Sequence, residues 1–297
     1  MGNGSSAEFV KVLFVGGAEH FPGAMKRVHK LVQDMDPENV IHCCACQQED
    51  TEKEIVDTHV LIPLVGSVQR DLMEKAGYLA LIMQFGVCLE NVDVKAASDM
   101  GIPVANIPGE GTGNAESVAE LAIFHALQCL RRTAGAKQSL ATSRLGAPTG
   151  KSIFGSHVFI LGLGAVGRQI ASRIRGFSPA RLTAVRRRGH VDDTALVDEC
   201  GVGKDVMRLS HGADIVFVCL KNCRAIITAD FLNNLKHGAV LVNVASGALL
   251  DYNDVLAGDP NPNPRPYPNI NPNPNLKLNP NLTLLTLTLN LTFNPNI

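Results

Sequence analysis

A glycine-rich hexapeptide in the middle of the chain constrains the fold more than any other feature. It follows an apolar run at residues 158–161 that predicts a buried strand, and it precedes apolar residues at helical spacing. The hexapeptide is Gly162-Leu163-Gly164-Ala165-Val166-Gly167. A strand, a GxGxxG turn and a helix in this order predict a βαβ unit of Rossmann type.

The same hexapeptide has the features that a dinucleotide pyrophosphate needs. Gly162 permits a tight turn, Gly164 lets the backbone approach the phosphates, and Gly167 lets the helix pack closely on the strand. Ala165 and Val166 begin the helix, where N–H groups and the positive end of the helix dipole face an anion. We therefore predict a cofactor site at residues 162–167, with a glycine-rich turn that binds nothing as the alternative.

Composition narrows the class of protein. The chain has 297 residues, of which 45% are hydrophobic and 19% charged, with a formal net charge of −1. This balance gives no reason to expect a nucleic acid partner or an acidic membrane surface. Because no apolar run reaches the ~18 residues of a membrane span, we expect a cytoplasmic protein. Residues 1–6 also fit the N-myristoylation pattern at Gly2, with a disordered N-terminus as the alternative.

Strands and helices alternate along both halves of the chain, which predicts parallel sheets. Strands are predicted at 9–15, 40–46, 59–65, 79–84, 158–161, 182–185, 214–220 and 239–245. A glycine-dense break at 109–113 precedes a long apolar helix, for which we predict Asn114 as the N-cap. Residues 133–156 are polar and rich in Gly, Ser and Thr, and they lead into the predicted strand before the glycine motif.

The chain changes character at Asp259. Nine of its 16 prolines lie beyond that point in Asn-Pro alternation, and a Leu-Thr alternation follows. The DNA repeat CCCTAA encodes Pro-Asn in one frame and Leu-Thr in the next. We therefore predict that residues 259–297 are a low-complexity tail translated from a telomere-type repeat, an artefact of the gene model. The alternative is a genuine low-complexity linker.

Five separated motifs make residues 9–258 similar to the D-isomer-specific 2-hydroxyacid dehydrogenases. They are Gln84-Phe85-Gly86-Val87 with Glu90-Asn91-Val92-Asp93, residues 101–106, Val118-Ala119-Glu120, the glycine hexapeptide, and residues 241–245 with Gly247 and Asp251. The resemblance implies an α/β fold with a flavodoxin-like substrate lobe at 1–113 and a Rossmann-type doubly wound cofactor domain at 114–258. The C-terminal part of both would be missing, so we expect an open sheet edge at 239–245 and marginal stability.

The resemblance also implies an activity and its ligands. It implies an NAD(P)-dependent oxidoreductase that transfers a hydride between nicotinamide and the carbon of a small 2-hydroxy or 2-oxo acid. Backbone N–H groups of Val87 and Cys88 would hold the acid's carboxylate, although Cys88 stands where the family usually has Gly. Leu220 and Ala245 would line the cofactor. A homodimer formed through the cofactor lobe is expected on the same basis.

The cofactor preference depends on the residues after the strand at 182–185. Family members that bind NAD usually place an acidic residue there for the ribose hydroxyls. This chain has Arg186, Arg187 and Arg188, and arginines can pair with a 2′-phosphate. We therefore predict NAD or NADP as cofactor with a preference for NADP, against the alternative that this charge run is only a solvated surface.

Departures from the family pattern affect the predicted catalysis. The family's catalytic Arg lies between the residues that match Ala245 and Gly247, and here that residue is Ser246. The family's catalytic Glu and His lie further along, within the tail, which contains neither residue type. We therefore predict an inactive chain. A non-catalytic dinucleotide-binding or sensor protein is the first alternative, and another Rossmann enzyme, such as a formate dehydrogenase or adenosylhomocysteinase relative, is the second.

Overall fold

The computed structural model describes residues 9–16, 22–144, 146–187, 195–220, 226–250 and 282–286. The chain divides into two compact units between Thr112 and Gly113. Each unit is built on one parallel β-sheet with helices between its strands, which confirms the predicted α/β class.

The first unit alternates strands and short helices. Its elements are β1 (Val10–Val15), α1 (Pro22–Met35), β2 (Ile41–Cys46), α2 (Thr51–Glu54), β3 (Val60–Pro63), α3 (Arg70–Glu74), β4 (Leu81–Gln84), α4 (Val94–Asp99) and β5 (Val104–Asn106). The described strands form one sheet in the order β2-β1-β3-β4-β5. All four pairings are parallel. This order is that of flavodoxin-like sheets.

The centre of this sheet is covered on both faces. Leu13 and Phe14 are adjacent in β1, so their side chains point to opposite faces, yet both are fully buried. Leu13 packs in a cluster with Ile55 and Met73, whereas Phe14 packs in a separate cluster with Met25. Continuous apolar strands with two buried faces are typical of parallel sheets.

The second unit is also a parallel sheet with helices between its strands, and its described sheet has one strand more. Its elements are α5 (Asn114–Arg131), α6 (Thr133–Ala141), β6 (His157–Leu161), α7 (Ala165–Arg175), β7 (Arg181–Val185), β8 (Glu199–Gly201), α8 (Val206–Ser210), β9 (Ile215–Val218), α9 (Ala229–Asn234), β10 (Ala239–Asn243) and β11 (Leu282–Thr286). The described strands form a parallel sheet in the order β11-β10-β9-β6-β7-β8, the doubly wound Rossmann order. The chain order reverses between β6 and β9.

One prediction about the start of this unit was wrong. Gly113, not Asn114, is the N-cap of α5, because the chain enters the helix through a left-handed conformation with φ of 75° that glycine adopts without strain. Within residues 133–156, for which the sequence predicted no helix, Thr133–Ala141 forms α6. Only Ser139 of this helix is buried among its described residues, so its sequence carries little of the apolar periodicity that predicts a helix.

The expectation that β10 is an open edge strand was also wrong. Leu282–Thr286 of the Leu-Thr alternation pairs with β10 as a parallel strand, with Ala239 opposite Leu282 and Asn243 opposite Thr286. The strand consists of Leu and β-branched Thr, and Thr is common in extended backbone. The tail therefore supplies the strand that satisfies this edge of the β10 backbone.

We expect removal of residues 259–297 to lower stability and increase self-association. The deletion takes away β11 and leaves the outer N–H and C=O groups of β10 unpaired. The thermal midpoint should fall by about 3 °C or more, with a rise in light scattering below it. The matched control removes only residues 287–297, which lie beyond the strand. Equal midpoints for both truncations and the full chain would contradict a stabilising role for β11.

Candidate functional site

The glycine hexapeptide lies where the sheet of the second unit can accept a ligand. It connects the carboxyl end of β6 to the start of α7, beside β9. In open α/β sheets, ligands bind outside the carboxyl ends of the strands at the point where strand order reverses. The reversal between β6 and β9 is that point in this sheet.

Two of the three glycines are required by packing. Gly162 has φ of +111°, and a Cβ there would lie 2.9 Å from the carbonyl carbon of Cys219. A Cβ on Gly167 would lie 2.2 Å from the carbonyl oxygen of Gly162. Both contacts are with backbone atoms, which have little freedom to move away. These two positions thus bring α7, β6 and the end of β9 together more closely than any side chain permits.

Gly164 has a different environment. A Cβ at this position would meet no atom within 4 Å, so the backbone faces open space. Gly164 is also the N-cap of α7, in extended conformation, and no side chain caps the helix there. The first N–H groups of a helix have no partner within it, and they carry its positive dipole end. Open space against this 11-residue helix end fits a dinucleotide pyrophosphate.

The helix α7 is held in place by α5. Gln169 on α7 donates its side-chain N–H to Glu116 Oε1 on α5 at 2.9 Å. Arg173, one turn further, lies 3.7 Å from a carboxylate oxygen of Glu120. These contacts fix the helix that presents Ala165 and Val166 to the open space.

The thiol of Cys219, whose backbone lies against Gly162, is electrically neutral. Burial raises the pKa of Cys219 to about 12, so the thiol stays protonated at neutral pH. A thiolate at this point would repel the phosphates that the loop is shaped to receive. Cys219 therefore behaves as a small apolar residue.

The other predicted cofactor residues follow the carboxyl ends of the strands, as the glycine loop does. Arg186 and Arg187 follow β7, Leu220 follows β9, and Ala245 follows β10. Arg186 is half-buried, and its backbone N–H donates to the Gly201 carbonyl at 3.0 Å; Arg187 is exposed. Arg188 lies outside the described residues. Parallel strands thus bring all four of these residues to the edge that carries the glycine loop.

Ser246 lies in a turn built by a residue that the sequence reasoning missed. Asn243 ends β10 and is fully buried. Its Oδ1 accepts a hydrogen bond from the Ala245 N–H at 3.0 Å, and its Nδ2 donates to the Ser246 carbonyl at 3.1 Å. The signal in the sequence was a lone amide that ends an apolar strand, a position where a polar side chain needs a specific partner.

The predicted carboxylate site lies in the first unit. Val87 is half-buried and Cys88 exposed, and both follow β4. Asn106, a second residue that the sequence reasoning missed, ends β5 and donates its side-chain N–H to the Val87 carbonyl at 2.7 Å. The structure thus places the predicted cofactor residues and Ser246 in one unit, and Val87 and Cys88 in the other.

Comparison with known proteins identifies the relatives of this chain. The family model for the D-isomer-specific 2-hydroxyacid dehydrogenase NAD-binding domain matches residues 123–258. A hydroxypyruvate reductase of Thermotoga maritima is 29% identical over 226 residues, covering 71% of this chain and 70% of the relative. A D-3-phosphoglycerate dehydrogenase of Methanocaldococcus jannaschii is 31% identical over 217 residues, covering 69% of this chain and 39% of the relative.

The chain belongs to the D-isomer-specific 2-hydroxyacid dehydrogenase family. Residues 123–258 are its NAD-binding domain. The match spans well under half the length of the phosphoglycerate dehydrogenase. The solved structure of D-2-hydroxyisocaproate dehydrogenase has a TM-score of 0.68 at 18% identity, covering 84% of this chain and 74% of that one, which shows a shared fold.

Two further findings concern membrane spans and metal sites in the described residues. None of the helices in its described part has the length and apolar character needed to cross a membrane. Likewise, the described side chains include no group of three or more His, Cys, Asp or Glu residues arranged to hold a metal ion.

Replacement of Gly164 or Gly167 by Ala should separate binding from folding. Gly164 is extended and faces open space, so G164A should shift the thermal midpoint by less than about 3 °C while placing a methyl group where the phosphates approach. Affinity for reduced nicotinamide dinucleotide should fall at least tenfold. G167A places a Cβ against a backbone oxygen and should destabilise the unit by about 3 kcal/mol or more.

Calorimetric titration and thermal unfolding measure the two effects. The chain contains no Trp, so binding can also be followed by the fluorescence of the reduced nicotinamide itself. If G164A bound the dinucleotide as tightly as the unmodified chain, the glycine loop would not be the pyrophosphate site.

Proposed function

We propose that this chain binds a nicotinamide dinucleotide and a small 2-hydroxy or 2-oxo acid, but lacks the side chains that make hydride transfer fast. The observation that carries the first part is the open space at Gly164 between two glycines whose positions admit no Cβ. The observation that carries the second is Ser246 at the position of the family's catalytic Arg. A bound nicotinamide would accept or supply the hydride.

Each part of the proposal assigns a task to residues of this chain. The N–H groups at Gly164, Ala165 and Val166 would bind the pyrophosphate. Those of Val87 and Cys88 would bind the carboxylate of the acid. Leu220 and Ala245 would supply apolar and backbone surface beside the cofactor, since both follow strands at the same edge of the sheet.

Ser246 is the main reason to propose low activity. A guanidinium polarises a 2-oxo group and grips a carboxylate through two parallel hydrogen bonds, whereas a hydroxyl carries no charge and is shorter. Loss of such a charge-assisted contact in a transition state costs about 3 kcal/mol or more, or at least a hundredfold in rate. The Glu and His that handle the proton in the family have no counterparts in residues 259–297.

We expect the chain to bind without appreciable turnover. With saturating reduced dinucleotide and glyoxylate or hydroxypyruvate, oxidation measured by absorbance should stay far below the ~1–10³ s⁻¹ of ordinary enzymes. S246R should increase affinity for the 2-oxo acid at least tenfold, since it restores the missing charge, but should leave turnover slow without the proton donor. Ordinary turnover by the unmodified chain would refute the proposed inactivity.

A non-catalytic role is the second candidate function. Ser246 favours it, because the turn that Asn243 builds around this residue is intact while the charge is absent. Such a protein would use the dinucleotide as a structural or regulatory ligand, as a sensor does. Binding of the dinucleotide with no measurable affinity for any 2-oxo acid, in both the unmodified chain and S246R, would favour this candidate over the first.

We further propose a preference for NADP over NAD. The residue after β7 is Arg186, where an acid would favour the ribose hydroxyls, and Arg187 next to it is exposed. Guanidinium groups at this strand end suit a 2′-phosphate. Their charge would act on the phosphate that only NADP carries.

The double variant R186A/R187A tests this preference. Its affinity for NADPH should fall about tenfold, with affinity for NADH nearly unchanged, because only the 2′-phosphate contacts are lost. R181A is the matched control, since Arg181 begins β7 at the opposite end of the strand. If calorimetry showed that the affinities for NADPH and NADH fall equally, these arginines would not recognise the 2′-phosphate.

A homodimer formed through the second unit also belongs to the proposal. Phe124 on α5, Leu140 on α6 and Phe154 before β6 are more than half exposed, with exposed fractions of 51%, 68% and 74%. Large apolar side chains left in water favour burial against a partner. A second copy of the chain is the partner that the family resemblance suggests.

A further inference from the structure

The loop after β4 has two successive carbonyl groups tied to β5. The Gly86 carbonyl accepts a hydrogen bond from the backbone N–H of Ile107 at 3.0 Å. The Val87 carbonyl accepts one from the side-chain Nδ2 of Asn106 at 2.7 Å. Both donors come from the end of β5 or the residue just after it. Two neighbouring peptide groups of the loop therefore have their oxygens directed to the same strand.

Peptide geometry then sets the direction of the two N–H groups. In a trans peptide the N–H points opposite to the C=O of the same group. The only cis peptide bond in the described residues is at Ala147-Pro148, so both groups of the loop are trans. The N–H groups of Val87 and Cys88 consequently point away from β5, side by side. Two adjacent donors that point the same way suit the two oxygens of a carboxylate.

The two anchors differ in how replaceable they are. Ile107 donates a backbone N–H, which any residue except proline would provide. The anchor on Val87 is a side-chain amide, so it depends on the identity of Asn106. A third hydrogen bond lies within the loop itself, where the Gly86 N–H donates to the Gln84 carbonyl at 2.9 Å. Of the contacts described at this loop, the one that sets the Val87–Cys88 peptide group is thus the one that a substitution can remove.

We propose that Asn106 is a positioning residue that directs the Cys88 N–H at the carboxylate of the bound acid. The inference rests on the proposed function, because it assumes that the loop after β4 binds this carboxylate. Asn106 itself touches the loop carbonyl and acts on the ligand only through the peptide group that it orients. Without its amide, the Val87–Cys88 group loses the contact that sets its rotation, and the second donor of the pair is lost.

The experiment follows the Cys88 amide directly. The full chain is labelled with ¹⁵N-cysteine, which gives signals from eight residues, and the Cys88 signal is assigned from its absence in C88S. Oxamate, a small carboxylate analogue of a 2-oxo acid, is titrated in the presence of saturating NADPH. We expect a downfield shift of the Cys88 N–H in the unmodified chain, as an amide proton shows when it donates to an anion.

The variants N106L, N106D and N106Q complete the design. Leu has nearly the shape of Asn without a donor, so N106L should abolish the Cys88 shift and weaken oxamate binding at least tenfold. The other cysteine signals and the affinity for NADPH should stay unchanged. N106Q keeps an amide donor on a longer arm and should recover part of the shift, which a merely structural role of Asn106 would not predict.

The outcomes separate this inference from the proposed function. No Cys88 shift in the unmodified chain would refute both. A normal shift in the unmodified chain that persists in N106D, which has nearly the shape of Asn but only acceptor oxygens at neutral pH, would refute the role of Asn106 and leave the proposed function standing. Should N106L disturb the other cysteine signals, N106D and N106Q carry the same comparison without an apolar side chain.

Discussion

The second unit is organised around a contact between two backbones. A Cβ on Gly167 would lie 2.2 Å from the Gly162 carbonyl oxygen, so the first turn of α7 rests directly on the end of β6. That contact fixes where the helix N-terminus points, and it leaves the intervening Gly164 facing open space. The same closeness places Gly162 against the backbone of Cys219 at the end of β9. This packing leaves open space at the point where strand order reverses, which is where open α/β sheets bind ligands.

The local sequence predicted those parts of the fold in which periodicity and turn chemistry agree. The strand before the glycines and the helix after them were predictable because buried apolar residues and obligatory glycines lie in one short segment. Helix α6 was not, because Thr133–Ala141 buries little of its surface and so lacks an apolar face. The three-residue strand β8 (Glu199–Gly201) is too short for a two-residue alternation to be distinct.

The sequence indicates candidate ligand-binding residues more readily than residues that hold a loop in place. Gly164, Arg186 and Ser246 belong to motifs whose spacing has a chemical reason, so the chain alone indicates them. Asn243 bonds to an N–H and a carbonyl group two and three residues away. Asn106 bonds to a carbonyl group of another segment, nineteen residues away. Only the fold shows which backbone groups such an amide will meet. Both asparagines end a parallel strand, which suggests where comparable residues should be sought.

The turn that contains Ser246 is held by hydrogen bonds that do not involve the Ser246 side chain. The buried Asn243 side chain makes two hydrogen bonds in the turn after β10: its Oδ1 accepts from the Ala245 N–H, and its Nδ2 donates to the carbonyl of residue 246. Neither bond involves the side chain at 246, so both can form whichever residue type stands at this position. The proposed combination of dinucleotide binding with low activity is consistent with this arrangement, because neither the glycine contact nor the Asn243 bonds require a charge at 246.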